Sequence, residues 1–541
     1  MNRILYVARA VLLGLITTHI IATLHVYLSN ADLYRTVTII REAGYLAIPN
    51  QRVMHSLKEF GPAFFGGSFF TFSIGAGLSV FSVACAWFWD RILGRSRALL
   101  MPIVLLWLGT AVAVNSKGFC PMVSSYFLAV PLVVFISTLK WMPGHREPQK
   151  RAHSPQLAAG LASESKNGTL PYGRRFPAAC CRDLQKKVWL NRLAHILPVA
   201  ILAMIWTAHV DRFSFVDVRD YLLLSNPIGK KINDFYYRYT LYPAEVFKSL
   251  DQKTLKACRL APIKDKAVAR RIENMLIRYD YLPVHADAPV EIEIVEAKNT
   301  LVFKHKGNTV LQTTFKEFLS RPEKVLRHFS AETDTHAFFR QATIFCLLVG
   351  FPLTLYVIVF ALIRFVLSFF VSSTPSSVVA AAFCFSIGLA LLVPLRIGTV
   401  RMVDAIDLSE ALNSECWQHR VAALRTVVRQ RLEIANFQAY RRMLASPYVP
   451  ERYWLAEALG VSRHPETYQD LLALLDDPCP NVVSMALHAL GQRGDRRAHK
   501  KIVKRIERSD HWYNQWYAYK ALRHLGWKQR RSKIALRDVQ P

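Results

Sequence analysis

The chain has 541 residues, a formal net charge of +30 at pH 7 and a pI near 9.9, with 52% hydrophobic residues and a mean hydropathy of +0.17. The charge leaves a nucleic-acid binder open, but so apolar a chain has the profile of a membrane protein. Nine cysteines without a CxxC pair exclude a disulfide framework and a zinc centre from the reading.

Apolar runs of about 20 helical residues, enough to cross roughly 30 Å of hydrocarbon, begin at once. The first, Ile4 to Leu28, is too long and too weakly punctuated for a cleaved signal peptide and is expected to stay as an anchor. Others cover Pro62 to Trp89, Leu99 to Val114, Phe119 to Leu139, Leu193 to His209, Ala342 to about Val371 and Pro375 to Leu395, seven in all. Short basic loops stay on the cytoplasmic side. "DRILGRSR" after the second run, and the stretch 140–191 with ten Lys and Arg from Lys140 to Lys187, both fall inside when the N-terminus is inside. Residues 211–341 then lie outside, as does the C-terminal region if all seven runs cross. A re-entrant seventh segment would instead return the C-terminus to the cytoplasm. Arg364 is expected to mark the inner end of the sixth helix near Ile363, with "RFVLSFFVSS" lying along the interface before Pro375.

The expected organisation is therefore spans one to four in 1–139, a basic cytoplasmic loop in 140–191, span five in 192–210, an extramembrane module in 211–341, spans six and seven in 342–396, and a C-terminal domain in 403–530. None of the runs carries an Asp or Glu in its interior, so a cation-coupled transporter lacks its usual midplane carboxylate. Polar candidates within or beside the runs are His19, His25, His195, Asn115 and Lys117. His19 lies deepest, and a neutral imidazole bonded to a neighbouring helix competes with a proton-relay role. "GGSFFTFSIGAG", Gly66 to Gly77, is read as a close helix-packing face rather than a nucleotide loop.

In 211–341 the pattern changes from helical to alternating. "DKAVARRIENMLIRYDYL" spaces Val268, Ile272, Met275 and Leu276 as a helix, and "VEIEIVEAKNTLVFKHKGNTVLQTTF" alternates, with "KGN" at Lys306 to Asn308 as a hairpin turn. The module reads as α+β, helices followed by a small antiparallel sheet. The cluster Phe235, Tyr236, Tyr237, Tyr239 and Tyr242 suits either a carbohydrate or lipid site, or the module's own core and the membrane surface.

The C-terminal region is self-similar. "YWLAEALG" ends at Gly460, "SMALHALG" at Gly491 and "YKALRHLG" at Gly526, and Leu471, Leu472 and Leu475 recur as Ile502, Val503 and Ile506. Repetition at such a period signals stacked helical hairpins, with alanines permitting close approach and each glycine expected to end a helix. The stretch 410–530 resembles the HEAT-like repeat family in its short "AxxALG" form. Ala486, Ala489, Leu490 and Gly491 fit; Ala458, Leu459 and Gly460 fit except that Leu455 takes the first alanine's place; the third copy keeps Ala521, Leu525 and Gly526 but has His524 for the second alanine. "WQHRVAALRTVVRQRLEI" reads as a further degenerate or capping unit. The aromatic and basic stretch Trp512 to Arg531 is then the last repeat, whose rings are expected to cover the end of the solenoid. This displaces a nucleic-acid grip, and "RRAHKKIVKRIER" is read as a solvated face that can also meet anionic lipid headgroups.

Sequence motifs for catalysis are missing: the chain has no HExxH, phosphate loop or GxSxG elbow. No catalytic, cofactor-binding or metal residue is assigned, and no cofactor is expected. The fold class is a mainly α, polytopic helical membrane protein with an α+β module and an α-solenoid. The resemblance implies a non-enzymatic scaffold or regulatory subunit in the cell membrane, docking a protein partner through repeat-turn residues expected on the surface: Arg463, His464, Arg493 and Arg496. The alternatives are a transporter or channel component with a path along Gly66, Gly67, Gly75, Gly77 and His19, and an enzyme acting on lipid or envelope polymer through the loop module.

Overall fold

Helix α1, Arg3–Glu42, has 40 residues, about 60 Å at 1.5 Å per residue. This is twice a hydrocarbon core, so the apolar run ending at Leu28 is only its first part. The computed structural model describes residues 3–91, 100–141, 197–208, 214–285, 288–370, 373–397 and 402–531. After a short α2, Gln51–Leu57, the chain returns through α3, Phe60–Phe70, a π-helical turn at Thr71–Gly75, and α4, Ala76–Arg91. Helices α5, Met101–Val114, α6, Pro121–Trp141, and α7, Leu197–Ala208, follow.

Among the described residues, five helices are long and apolar enough to cross a membrane: Leu5–Glu42, Phe60–Asp90, Pro121–Trp141, Ala337–Leu367 and Ser376–Val393. The third and fifth runs form the shorter α5 and α7. His195 and most of the 140–191 loop lie outside the described residues.

The small residues of the second span are contact points. A Cβ on Gly75 would fall 2.6 Å from Thr18, one on Gly67 3.0 Å from the Thr23 nitrogen, and one on Gly77 2.2 Å from the Cys346 sulfur. Gly66 meets Pro243 and Tyr242 of the loop module at 3.2 and 3.3 Å. The glycines expected to line a transport path are therefore filled by neighbouring helices and side chains.

The module opens with helical turns at Ser214–Asp217 and Val218–Leu223, then α8, Pro227–Tyr239, and Leu241–Phe247. Its sheet is mixed, which corrects the antiparallel expectation. Strand β1, Lys256–Leu260, precedes α9, Lys266–Arg278, and β2, Tyr281–Pro283, is parallel to β1; β3, Ile292–Ala297, β4, Thr300–His305, and β5, Asn308–Thr314, complete the order β2-β1-β3-β4-β5. The stretch KACRL was missed because its two charged and three apolar residues do not alternate. The β4–β5 turn is where "KGN" placed it, with Lys306 and Gly307 at φ 49° and 84°. Lys298 and Asn299, at 45° and 66°, make a second two-residue turn between β3 and β4. Ile292, Ile294, Leu301 and Phe303 bury against Ile272, Leu276, Phe318 and Phe329.

Helix α10, Pro322–Glu332, leads to α11, Ala337–Phe345, a π-helical turn at Cys346–Gly350, and α12, Phe351–Leu367. Of "RFVLSFFVSS", the first four residues continue a helix, and residues 371–372 lie outside the described residues. Helix α12 runs through Arg364 to Leu367, and α13, Ser373–Ile397, starts before Pro375. The 25 residues of α13 span about 37 Å, long enough for a full crossing.

The repeat region is a stack of hairpins whose inner row is α14, Trp417–Gln430, α15, Val449–Val461, α17, Pro480–Arg493, and α19, Trp512–His524; the outer row includes α16, Pro465–Ala473, and α18, His499–Arg508. Gly460 and Gly491 do not end their helices. They lie inside α15 and α17, where added Cβ atoms would fall 2.6 Å from the Ala489 Cβ and 2.9 Å from the Ala521 Cα. Only Gly526 follows its helix, at φ 81°. Counted from the helix starts, the third copy of "AxxALG" is Ala518, Ala521, Leu522 and Arg523. All of its apolar members are buried, and His524 replaces no alanine.

Candidate functional site

The face between the inner row and the rest of the chain concentrates buried polar chemistry. On the module side, the turns after Ser214 bring Asp217 and Asp220 together among apolar residues, both fully buried. Asp220 accepts from Arg425 of α14, from the Trp454 indole of α15 and from neighbouring Arg219, each at 2.7 Å. Arg425 also lies 3.4 Å from Asp217, and the Arg219 guanidinium covers the Tyr453 ring at 3.7 Å. Each carboxylate thus has a cationic partner, the condition for tolerating buried charge. Burial raises the nearby Glu457 carboxyl above its usual range, opposed by Arg219.

Farther along, α8 meets the starts of α17 and α19. Asn233 donates to Asn481 Oδ1 at 2.8 Å, Tyr237 stacks on Tyr513 with ring centroids 4.1 Å apart, and Tyr242 packs edge-on to Trp512 at 5.1 Å. His511 sits 5.6 Å from the Tyr237 ring; burial first, and Arg238 second, lower its pKa to about 4. Below this, Tyr519 donates to Asp280, whose carboxyl is raised by burial and held back by Arg523 at 3.3 Å.

The third patch is the loop after α1. Gln529 pairs with both backbone groups of Leu46, accepting at 3.1 Å and donating at 2.8 Å, while Arg531 donates to the Tyr45 hydroxyl at 2.9 Å. Residues 115–120 reach the module as well, Lys117 donating to the Ala331 carbonyl at 2.8 Å. The rings and cations of Trp512 to Arg531 therefore grip the chain's own module and first loop. Contacts with the module and first loop add to the end-covering role expected from the repeat pattern, since Trp527 packs on Tyr519 beyond the last repeat helix.

The inner row repeats one device at its fourth residue. Arg420, Arg452 and Gln515 donate to the carbonyls of Ser414, Ser446 and Ser509 at 2.5, 2.5 and 2.8 Å. Arg420 and Arg452 also bind Glu451 and Asp477 across repeats at 2.6 Å.

Of the proposed partner residues, Arg463, His464 and Arg496 are exposed. Arg493 is not a surface residue. It is 7% exposed and donates to Leu459 O, Thr467 Oγ1 and His464 O at 3.2, 2.9 and 2.6 Å, because this helix end turns inward against the preceding hairpin. Arg463 donates to the Arg493 carbonyl at 2.7 Å. His19 bonds Thr71 Oγ1 at 2.9 Å and packs edge-on to Phe64 at 4.5 Å, the neighbouring-helix arrangement. His25 lies buried among Phe70, Tyr126 and Phe339. An open groove on the outer row is basic, with His499, Lys500, Lys504 and Arg508 beside Trp527, and Glu507 as its acid.

Among the described residues no cluster of His, Cys, Asp or Glu suits a metal, and the seven cysteines there are free thiols. Sequence reasoning missed Asp217, Asp220, Arg425, Asn50 and Gln529. The two acids and Arg219 in the otherwise apolar stretch "FVDVRDYLLL" were the available signal, since unpaired burial would be costly.

No curated protein and no solved structure matches the chain. Residues 438–523 match the family model described as HEAT repeats, and the stacked hairpins with buried alanines agree with it: the C-terminal region of this chain is a HEAT-repeat solenoid.

Proposed function

We propose that this is a multi-pass membrane protein that holds a HEAT-repeat solenoid against the extracytoplasmic ends of its spans, as a non-enzymatic scaffold or regulatory subunit. HEAT repeats generally mediate protein–protein interaction, and here the inner row is taken up by the chain's own module. The surface left for a protein partner is the outer row and its turns, with Arg463, His464, Arg496 and the basic groove on α18. That division of the solenoid is the observation that carries the reading.

The same packing supports a topology of seven crossings. With seven crossings, residues 43–59, 115–120, the module and the solenoid share one side, opposite both basic loops. Bonds from Asn50 to Gln515, Lys117 to Ala331 and Tyr519 to Asp280 join these four segments. A re-entrant seventh segment would place the solenoid across the membrane from residues it binds. The positive-inside rule then makes the shared side extracytoplasmic.

The test is affinity purification in gentle detergent of the full chain and of Arg463→Glu/Arg496→Glu, with mass spectrometry of co-purifying proteins. A stoichiometric partner lost from the variant, with thermal stability kept, supports the reading. Identical partners on both sink this surface assignment.

A further inference from the structure

Helix α8 has three faces. Gly229, Asn233 and Tyr237 face the module's first turns and the solenoid, with Asn233 on Asn481 and Tyr237 on Tyr513. Ile228, Ile232 and Phe235, at helical spacing, point away from the protein and are 74%, 55% and 42% exposed, with Tyr236 beside them at 47%. Lys231 and Arg238 are exposed along the third side. A stripe of large apolar residues left bare next to flanking cations is the pattern of a helix lying in a membrane interface, and so continuous an apolar patch marks a contact surface.

Its neighbours select the occupant. Phe65 of α3 packs edge-on to Phe235 at 5.7 Å and lies 5.1 Å from Tyr239. Phe65 belongs to a row of outward aromatics on the second span, Phe60, Phe64, Phe65, Phe72 and Phe81, all exposed. The bare stripe of α8 therefore continues the surface that a span presents to lipid.

We infer that α8 is an interfacial helix, its Ile228–Ile232–Phe235 stripe buried in the outer leaflet with Lys231 and Arg238 at the headgroups, and its opposite face gripping α17 and α19. The occupant is phospholipid, and the helix holds the solenoid against the bilayer surface. The inference rests on the membrane reading above.

The photo-crosslinking residue benzoylphenylalanine is placed, in separate full chains, at Ile232, at Ile228, at Phe383 on the outward side of α13, and at Lys501 on the outer row. The chains are reconstituted in phosphatidylcholine vesicles containing phosphatidylglycerol and irradiated, and adducts are read by mass spectrometry. Phospholipid adducts at Ile232 or Ile228 and at Phe383, at least tenfold above Lys501, are expected. Adducts to a second copy, or none, at both α8 positions while Phe383 captures lipid overturn the interfacial helix and leave the membrane reading standing. Failure of Phe383 to capture lipid overturns both.

Discussion

The backbone N–H of Asn50 donates to Oε1 of Gln515 at 2.7 Å, and the Asn50 side-chain amide donates to the carbonyls of Ile506 and Ser509 at 2.7 and 2.9 Å. The same side chain accepts from Val53 N at 3.2 Å, so one residue caps the start of α2 and satisfies carbonyls at the end of α18. Replacing it by Ala removes a helix cap and leaves several polar groups unpaired, at a cost of about 2–3 kcal/mol. Asn50→Ala is expected to lower the thermal midpoint and to speed hydrogen exchange near Val53 and Gln515. Unchanged exchange near Gln515 would show that the joint does not depend on this contact.

Asp220→Asn leaves Arg425 and Arg219 buried with weakened acceptors, and breaking a buried ion pair from one side costs about 3–5 kcal/mol. Pairing it with Arg425→Gln should recover part of the loss. A double-mutant cycle read by thermal unfolding is expected to give a coupling above about 1 kcal/mol; additive losses would mean that the two groups act separately.

Gly460→Ala is expected to destabilise by about 1–3 kcal/mol, because the added carbon falls on Ala489 inside a tight helix contact. Gly494 ends α17 at φ 79° with nothing near its Cβ position. Gly494→Asn, which tolerates that backbone, should cost under about 1 kcal/mol. Equal midpoint shifts for the two variants would refute the distinction between packing and capping glycines.

That distinction marks the limit of what the sequence makes legible. The existence of the repeat, the alternation of β3 and β4, the "KGN" turn and the presence of long apolar helices are local patterns that periodicity makes legible. Gly526 shares its letter with Gly460 and Gly491 but serves as a stop rather than a contact, so matching "HLG" to "ALG" shifted the third copy by three residues. Arg493 looks like any helix-end cation until its helix is packed beside the preceding hairpin. The joint of Asp220 with Arg425, or Leu46 with Gln529, links residues hundreds of positions apart with no period between them, and only the fold brings them together.

Acid should loosen the face where α8 meets α19. The folded pKa of His511, about 4, lies below its ordinary 6.5. The unfolded chain therefore takes up the proton first, and the stability present above pH 6.5 is lost as pH falls toward 4. Between pH 7.5 and 5 the loss is about 2 kcal/mol. His511→Phe, which cannot take up a proton, should flatten the pH dependence of the thermal midpoint by that amount; a parallel curve would rule His511 out as the source.

Sidedness can be read from a native thiol. Cys416 is exposed at the start of α14. A membrane-impermeant maleimide is expected to label it in right-side-out vesicles, with Cys416→Ser losing that label. Labelling only after permeabilisation would place the solenoid on the cytoplasmic side.

The pairing of Leu46 with Gln529 also sets an order of events during synthesis. The two residues are separated by 483 positions, so at roughly 5–20 residues per second Gln529 is made about 25–100 s after Leu46. Throughout that interval the N–H and C=O of Leu46 must find other partners, while six of the seven apolar runs are still being made. A chain cut short anywhere in the solenoid leaves this first loop unfinished, because Gln529 lies beyond helix α19.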